Sequence, residues 1–380
     1  MFYIKNIKII VPVLACLALC FFILGCNNVT GGGGGGGTAA SWHFVTVESI
    51  PFNISNIFPK LTALAFDLDG NPVISYFVNA ENTIKYATYD ATTGTFSTIT
   101  AETNVAFVNN GIALGINGAG IPHLVYSNGG VLTLASKEAS GIWISQEVDS
   151  CSLNDGFGLG FDSGDNVYIS YIDTTASPST LMLAQYSSGG KTLYELNNDN
   201  LPTYSSLDMY NDHPYVAFSN SNATHYSIGF VSIESWEPIT SEADTNVSDP
   251  RYTSLKMDAN GNARIAYLDY GNDRIRYAEW NSASGLWSVV TIEANPDGDL
   301  LYPSLDLSTT GVPYIAYMSS NSGGDSSLKL AKRSGSTWTI ETVDSSTTIT
   351  GKYCSLVLDS NGNPCISYTD GFKVRYAYWR

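Results

Sequence analysis

Tyr204, Tyr252, Tyr302 and Tyr353 each stand two residues ahead of a Ser-Leu pair, at intervals of 48, 50 and 51 residues. A second set recurs with a similar period: Asp173, Asn220, Asp269, Ser319 and Asp370 each follow an aromatic residue by two positions. Asn128 holds the equivalent place earlier in the chain, and Val78 departs from it. Aromatic rings stack on the C–H faces of sugars, while carboxylate and amide groups take their hydroxyls. The two sets would make a carbohydrate-binding surface if the fold brought them to one rim. The competing reading is structural: Tyr fills a junction between repeats and Asp caps a turn, because periodic recurrence is what structural roles produce.

The usual engines of catalysis are missing. The chain has no Gly-x-Ser-x-Gly elbow and no His-Glu-x-x-His pair. Its four histidines, His43, His123, His213 and His225, fall at different places in their repeats, so no convergent metal triad is expected. The acidic turns at Asp67–Gly70 and Asp359–Gly362 are too short to supply the six or more oxygens of a calcium site; hairpin-turn chemistry accounts for them. No metal and no cofactor are expected. A glycan hydrolase or lyase remains the alternative, with Asp269 or Asp173 as its acids. A hydrolase of that kind needs two carboxyls roughly 5–9.5 Å apart in one pocket. The net charge of −17 argues against nucleic acid, whose phosphates demand basic contacts.

The elements that must position these residues come from a repeat. The second residue set counts from Tyr76, Tyr126, Tyr171, Phe218, Tyr267, Tyr317 and Tyr368, spaced by 50, 45, 47, 49, 50 and 51 residues. Each copy holds four runs of period-2 alternation, which mark strands. Asp-Gly and Asn-Gly turns separate the first two. Four strands in about 48 residues make a propeller blade. The residue before each aligned aromatic is small in six of seven copies (Ser75, Ser170, Ala217, Ala266, Ala316, Ser367), and is Val125 in the other. The fourth strand opens on Phe96, Trp143, Trp236, Trp287 or Trp338, with Leu193 in the third copy. Both positions read as core between blades.

The seventh copy reaches Arg380 after its third strand, and "SWHFVTVES" from Ser41 matches the missing fourth. The expected fold is therefore an all-β, seven-bladed propeller over residues 41–380. Its last blade is closed by the N-terminal strand lying beside residues 373–379. Closure leaves no free edge, so a monomer is expected. In that architecture the tyrosines and the acid-or-amide set share the face around the channel mouth. Cys354 and Cys365 are not expected to pair, since the Asn361-Gly362 turn would set Cys365 opposite Leu358.

These copies resemble the Gly-x-Pro-x-Ile-Ser-Tyr repeats of bacterial secreted and lipoprotein β-propellers, a group related in shape to sialidase-like propellers. The resemblance implies the propeller and leaves function open. It departs from the sialidase Asp-box, since Arg333 precedes "SGSTW" where an Asp is wanted. All seven arginines lie from Arg251 onward, a poor distribution for a sialidase arginine triad.

Residues 1–25 combine Lys5 and Lys8 with an apolar run from Ile9 to Leu24, the pattern of a secretory signal. "ILGC" resembles the lipobox of bacterial lipoproteins, which implies cleavage after Gly25 and lipidation of Cys26. Residues 26–40, with seven consecutive glycines, read as a lipidated Cys on a flexible tether. Losing two lysines and no acid takes the net charge from −17 to −19. The expectation is a cell-envelope protein held to the membrane by its lipid. It would bind a glycan, or an envelope or extracellular protein, at the channel mouth without catalysis. A purely structural envelope scaffold is the third possibility.

Overall fold

The computed structural model describes residues 40–49, 62–106, 111–150, 156–175, 177–197, 201–222, 225–233, 239–346, 349–371 and 373–380. These belong to the compact unit Ala40–Arg380. The expected signal, Cys26, the glycine tether, Cys151 and Trp236 lie outside the described residues. The described strands form seven antiparallel sheets of four strands each, and the only helical element among them is a single 3-10 turn, Tyr270–Asn272. Six blades are continuous in sequence. The fifth is typical: an inner strand Pro250–Met257, then Ala263–Asp269, Arg274–Asn281 and an outer strand Leu286–Ala294.

The seventh blade closes as the sequence implies. Trp42–Ser49 forms its outer strand, running antiparallel to Lys373–Trp379, with Trp42 opposite Trp379 and Val45 opposite Tyr376. The fourth-strand aromatics pack between blades. Phe96 meets Tyr376, Trp143 meets Tyr86, Trp287 meets Phe230 and Trp338 meets Tyr277, with ring centroids 5.2–5.6 Å apart. The small residues before the aligned aromatics, and Val125 with them, are fully buried. A larger side chain there would hold neighbouring sheets apart.

Turn chemistry sets the register and corrects one expectation. The turn after Leu358 spans five residues. Asp359 N–H donates to the Asn363 carbonyl, and the Asp359 carboxylate accepts from Asn361 and Asn363 N–H. Gly362, with φ of 78°, closes it. Asp359 and Asn363 therefore face each other, which pairs Leu358 with Pro364 and Cys365 with Val357, one residue away from the register expected from a two-residue turn. Asp67 and Asp258 cap the same turn in their blades. Cys354 and Cys365 are both buried, and burial pushes the Cys365 thiol up to about 12.

Candidate functional site

The seams between blades come first, because they account for the period of the second-strand tyrosines. Each outer strand carries a β-bulge in its second half, and the residue after the bulge is an acid or its amide: Glu48, Glu102, Asp149, Asn197, Asp244, Glu293 or Asp344. A bulge lets two successive side chains point off the ladder. The apolar one enters the core and the acid meets the next blade. Tyr76 donates to Glu48, Tyr171 to Asp149, Tyr267 to Asp244 and Tyr368 to Asp344, at 2.5–2.6 Å. Tyr317 donates to Glu293, and Tyr126 stands against Glu102. Burial, reinforced by the neighbouring carboxylate, pushes the Tyr76, Tyr126, Tyr267, Tyr317 and Tyr368 hydroxyls above the ordinary tyrosine range. In four seams a third-strand cation completes the set: Lys85 on Glu48, Arg276 on Asp244, Lys329 on Glu293 and Arg375 on Asp344, at 2.5–2.8 Å. The fourth blade differs. It has Phe218 for Tyr, Asn197 for the acid, and Gly229 opposite Phe218 for the cation. Tyrosine and acid are both missing from this seam, whereas the seams at Tyr126 and Tyr171 lack only the cation, with Thr133 and Met182 in its place.

The first-residue set occupies the inner strands. An inner strand has one edge without a strand partner, and side chains of the preceding blade cover part of it. Ser254 Oγ accepts from Leu305 N–H, Ser304 Oγ from Leu356 N–H and Ser355 Oγ from Leu64 N–H, at 2.9–3.2 Å. Lower on the channel, the Asp208 and Asp306 carboxylates accept from Met257 and Leu358 N–H. Lys256 lies between them, 3.5 Å from Asp306, whose charge raises its pKa; burial pushes the Asp208 carboxyl up. The Ser of each Ser-Leu pair is thus a structural group. An axial cavity of about 210 Å³ runs between inner strands of all seven blades.

The four tyrosines sit at the start of those strands, and each interrupts the register with its neighbour. Their backbones are left-handed, with φ of 47°, 54°, 59° and 53°. The equivalent residues of the second and third blades are Gly111 and Gly156, with φ of 96° and 94°. The fold therefore demands positive φ at this position, and glycine meets that demand without strain. A bulky residue there costs roughly 1–2 kcal/mol. The rings run as a continuous arc, with centroids 4.9, 5.0 and 4.7 Å apart from Tyr204 through Tyr353. Tyr302 and Tyr353 are 4% exposed, while Tyr204 and Tyr252 are half-buried. The open end of the arc adjoins the glycine blades.

The acid-or-amide set is engaged locally. Asp269 is fully buried, accepting from Ser248 N–H at 2.8 Å and from the Asn272 amide at 2.9 and 3.0 Å. Asp173 caps its own turn through Thr175 N–H and Oγ1. Asp370 accepts from Lys373 N–H. Asn220 is buried in its strand. The structure thus gathers the tyrosines into one surface and gives Asn128, Asp173, Asp269 and Asp370 loop-holding bonds. Two mouth groups went unread. Arg251, one residue before Tyr252, pairs with Asp249 and stacks on Tyr270 at 3.7 Å. Lys352, one residue before Tyr353, lies 6.0 Å from that ring. The signal for both was present: each is a cation next to a periodic tyrosine.

No family model matches the chain, and no curated protein matches it. Solved structures do. An ulvan lyase of polysaccharide lyase family 25, bound to -[GlcA(1-4)Rha3S]-, superposes with a TM-score of 0.63 at 13% identity, covering 86% of this chain and 95% of that one. A copper-bound fungal alcohol oxidase of the AA5 family gives 0.59 at 10% identity, over 90% and 76%. A triple arginine-to-alanine variant of AofleA from Arthrobotrys oligospora gives 0.54 at 13% identity, over 83% and 95%. At these identities the likeness is one of fold.

Proposed function

We propose that this chain is an exported lipoprotein, anchored through Cys26, whose propeller binds a glycan at the channel mouth without turning it over. One observation carries the binding site: the fold requires a left-handed residue, two blades supply glycine, and four consecutive blades supply tyrosine instead. Backbone strain held in one contiguous arc points to a use for the rings. The half-buried Tyr204 and Tyr252 are the stacking surface, and Tyr302 and Tyr353 back them. A glycan-array screen of the full-length protein, repeated with Tyr252→Gly, tests this. A hit that the substitution weakens at least about tenfold supports the site. An unchanged hit removes the arc from it.

A catalytic reading has one point in its favour, the fold shared with a polysaccharide lyase. Against it, Asp269 and Asp173 are held by turn and loop donors. Release of new chain ends from a bound polysaccharide, abolished by Asp269→Asn in a protein that still binds, would establish the enzyme.

A further inference from the structure

Among the described cations, most of those with buried stems carry their own anion. Lys85, Arg276, Lys329 and Arg375 each hold a seam carboxylate, Lys256 lies beside Asp306, and Arg251 is paired with Asp249. Lys352 does not. It is partly buried on the channel-mouth face, and among the described residues no carboxylate oxygen lies within 4.0 Å of its ammonium. The nearest influence is the more distant charge of Asp299, from the loop entering the sixth blade. Desolvation outweighs that charge and holds the ammonium below the ordinary lysine range. A half-desolvated cation without a counter-ion is costly, and on so acidic a chain an internal partner would have been easy to supply. The Tyr353 ring contributes a weak cation–π contact at most, since 6.0 Å is the limit of that interaction.

We propose that Lys352 is a specificity residue, and that the glycan bound at the mouth carries a negative charge, as a uronate carboxylate or a sulfate ester. This rests on the glycan reading of the tyrosine arc and adds to it the charge of the ligand. A sugar stacked across the mouth would bring its anionic group to an ammonium already stripped of part of its water. There the attraction is stronger than on an open surface.

The test uses full-length protein and three probes of similar length: a neutral galactan oligosaccharide, its sulfated counterpart and an oligogalacturonate. The charged probes are expected to bind about tenfold tighter than the neutral one, a preference that Lys352→Met removes and Lys352→Arg largely keeps. The sulfated and uronate arms separate the two sources of charge. The preference should also fade as pH rises, at a lower pH than an ordinary lysine would give, because the free ammonium loses its proton more easily. Equal binding of all three probes overturns the proposal while leaving the tyrosine site intact. So does a preference that survives Lys352→Met. Binding of none overturns both.

Discussion

Two rings of tyrosine run through this propeller at nearly the same period, one in the seams and one at the channel mouth. The seam ring has ordinary backbone geometry, complete burial and hydroxyls fixed on carboxylates of the preceding blade. The mouth ring has left-handed backbones, a gradient of exposure and glycine at its place in two blades. Recurrence alone does not tell a girder from a binding surface. What separates them is the alternative each position accepts. The seam loses its tyrosine only together with its acid, as at Phe218 and Asn197, because a buried carboxylate left without a donor would be costly; the cation varies separately, with Thr133 and Met182 in its place beside Tyr126 and Tyr171. The mouth exchanges Tyr for Gly, and the serine two residues on for Ala113 or Gly158, without involving any charged group.

The largest way to break the comparison is to remove a seam outright. Deleting residues 41–49 takes away the outer strand of the seventh blade and Glu48 with it, exposing Lys373–Trp379 as a free edge. We expect loss of the cooperative thermal transition and growth of light scattering on warming. A variant that melts like the parent would refute the closure. Acid probes a seam from the opposite face. His123 is buried against Phe161, and burial depresses its pKa to about 4. The unfolded chain takes up this proton near pH 6.5 and the folded chain refuses it until about 4. Stability is therefore full above 6.5 and falls as pH drops toward 4, by up to about 3 kcal/mol. Denaturant midpoints at pH 7 and 5 should draw closer together in His123→Gln.

Single substitutions then sharpen the contrast. Tyr317→Phe should cost about 2 kcal/mol, since it leaves the Glu293 carboxylate one donor short, and should not alter ligand binding. Tyr252→Gly should change stability by less than about 1 kcal/mol, because relief of a left-handed backbone offsets lost ring contacts. Binding should fall with it. If Tyr252→Gly destabilises as much as Tyr317→Phe, the mouth ring is a second girder and the distinction disappears.

Much of this was legible in the chain. Seven aligned aromatics, small residues beside them and a stray N-terminal strand imply the blade count and its closure, because strand alternation and blade packing are local demands. Four tyrosines could be assigned to one rim on spacing alone. Their left-handed backbone could not be read directly, although Gly111 and Gly156 at the equivalent places carried the clue. Asp173, Asp269 and Asp370 looked like ligand groups because sequence does not show whether a carboxylate meets a loop N–H or solvent. The seam acids were missed for another reason: the bulge before each shifts its facing by one residue, which strict alternation conceals.

The smallest expected effect is the most discriminating, because it asks whether the fourth blade's exception belongs to the seam rule. Phe218→Tyr places a hydroxyl in a seam where Asn197 holds the repeat position of the acid, and Asn197→Asp restores the acid to a seam that has Phe218 at the repeat position of the tyrosine. Alone, each introduces a polar group ill-matched to its neighbour and should be neutral or destabilising. Together they rebuild the pair seen at Tyr171 and Asp149 in the seam before it. The coupling energy of the double-mutant cycle should be about 1 kcal/mol in favour of the pair, measured by denaturant unfolding at pH 7. A coupling near zero would mean that the joint absence of tyrosine and acid from this seam has nothing to do with a tyrosine–acid contact. The contrast between seam and mouth would then rest on backbone geometry alone. Positive coupling would show that a seam tyrosine and its acid stabilise each other as a pair.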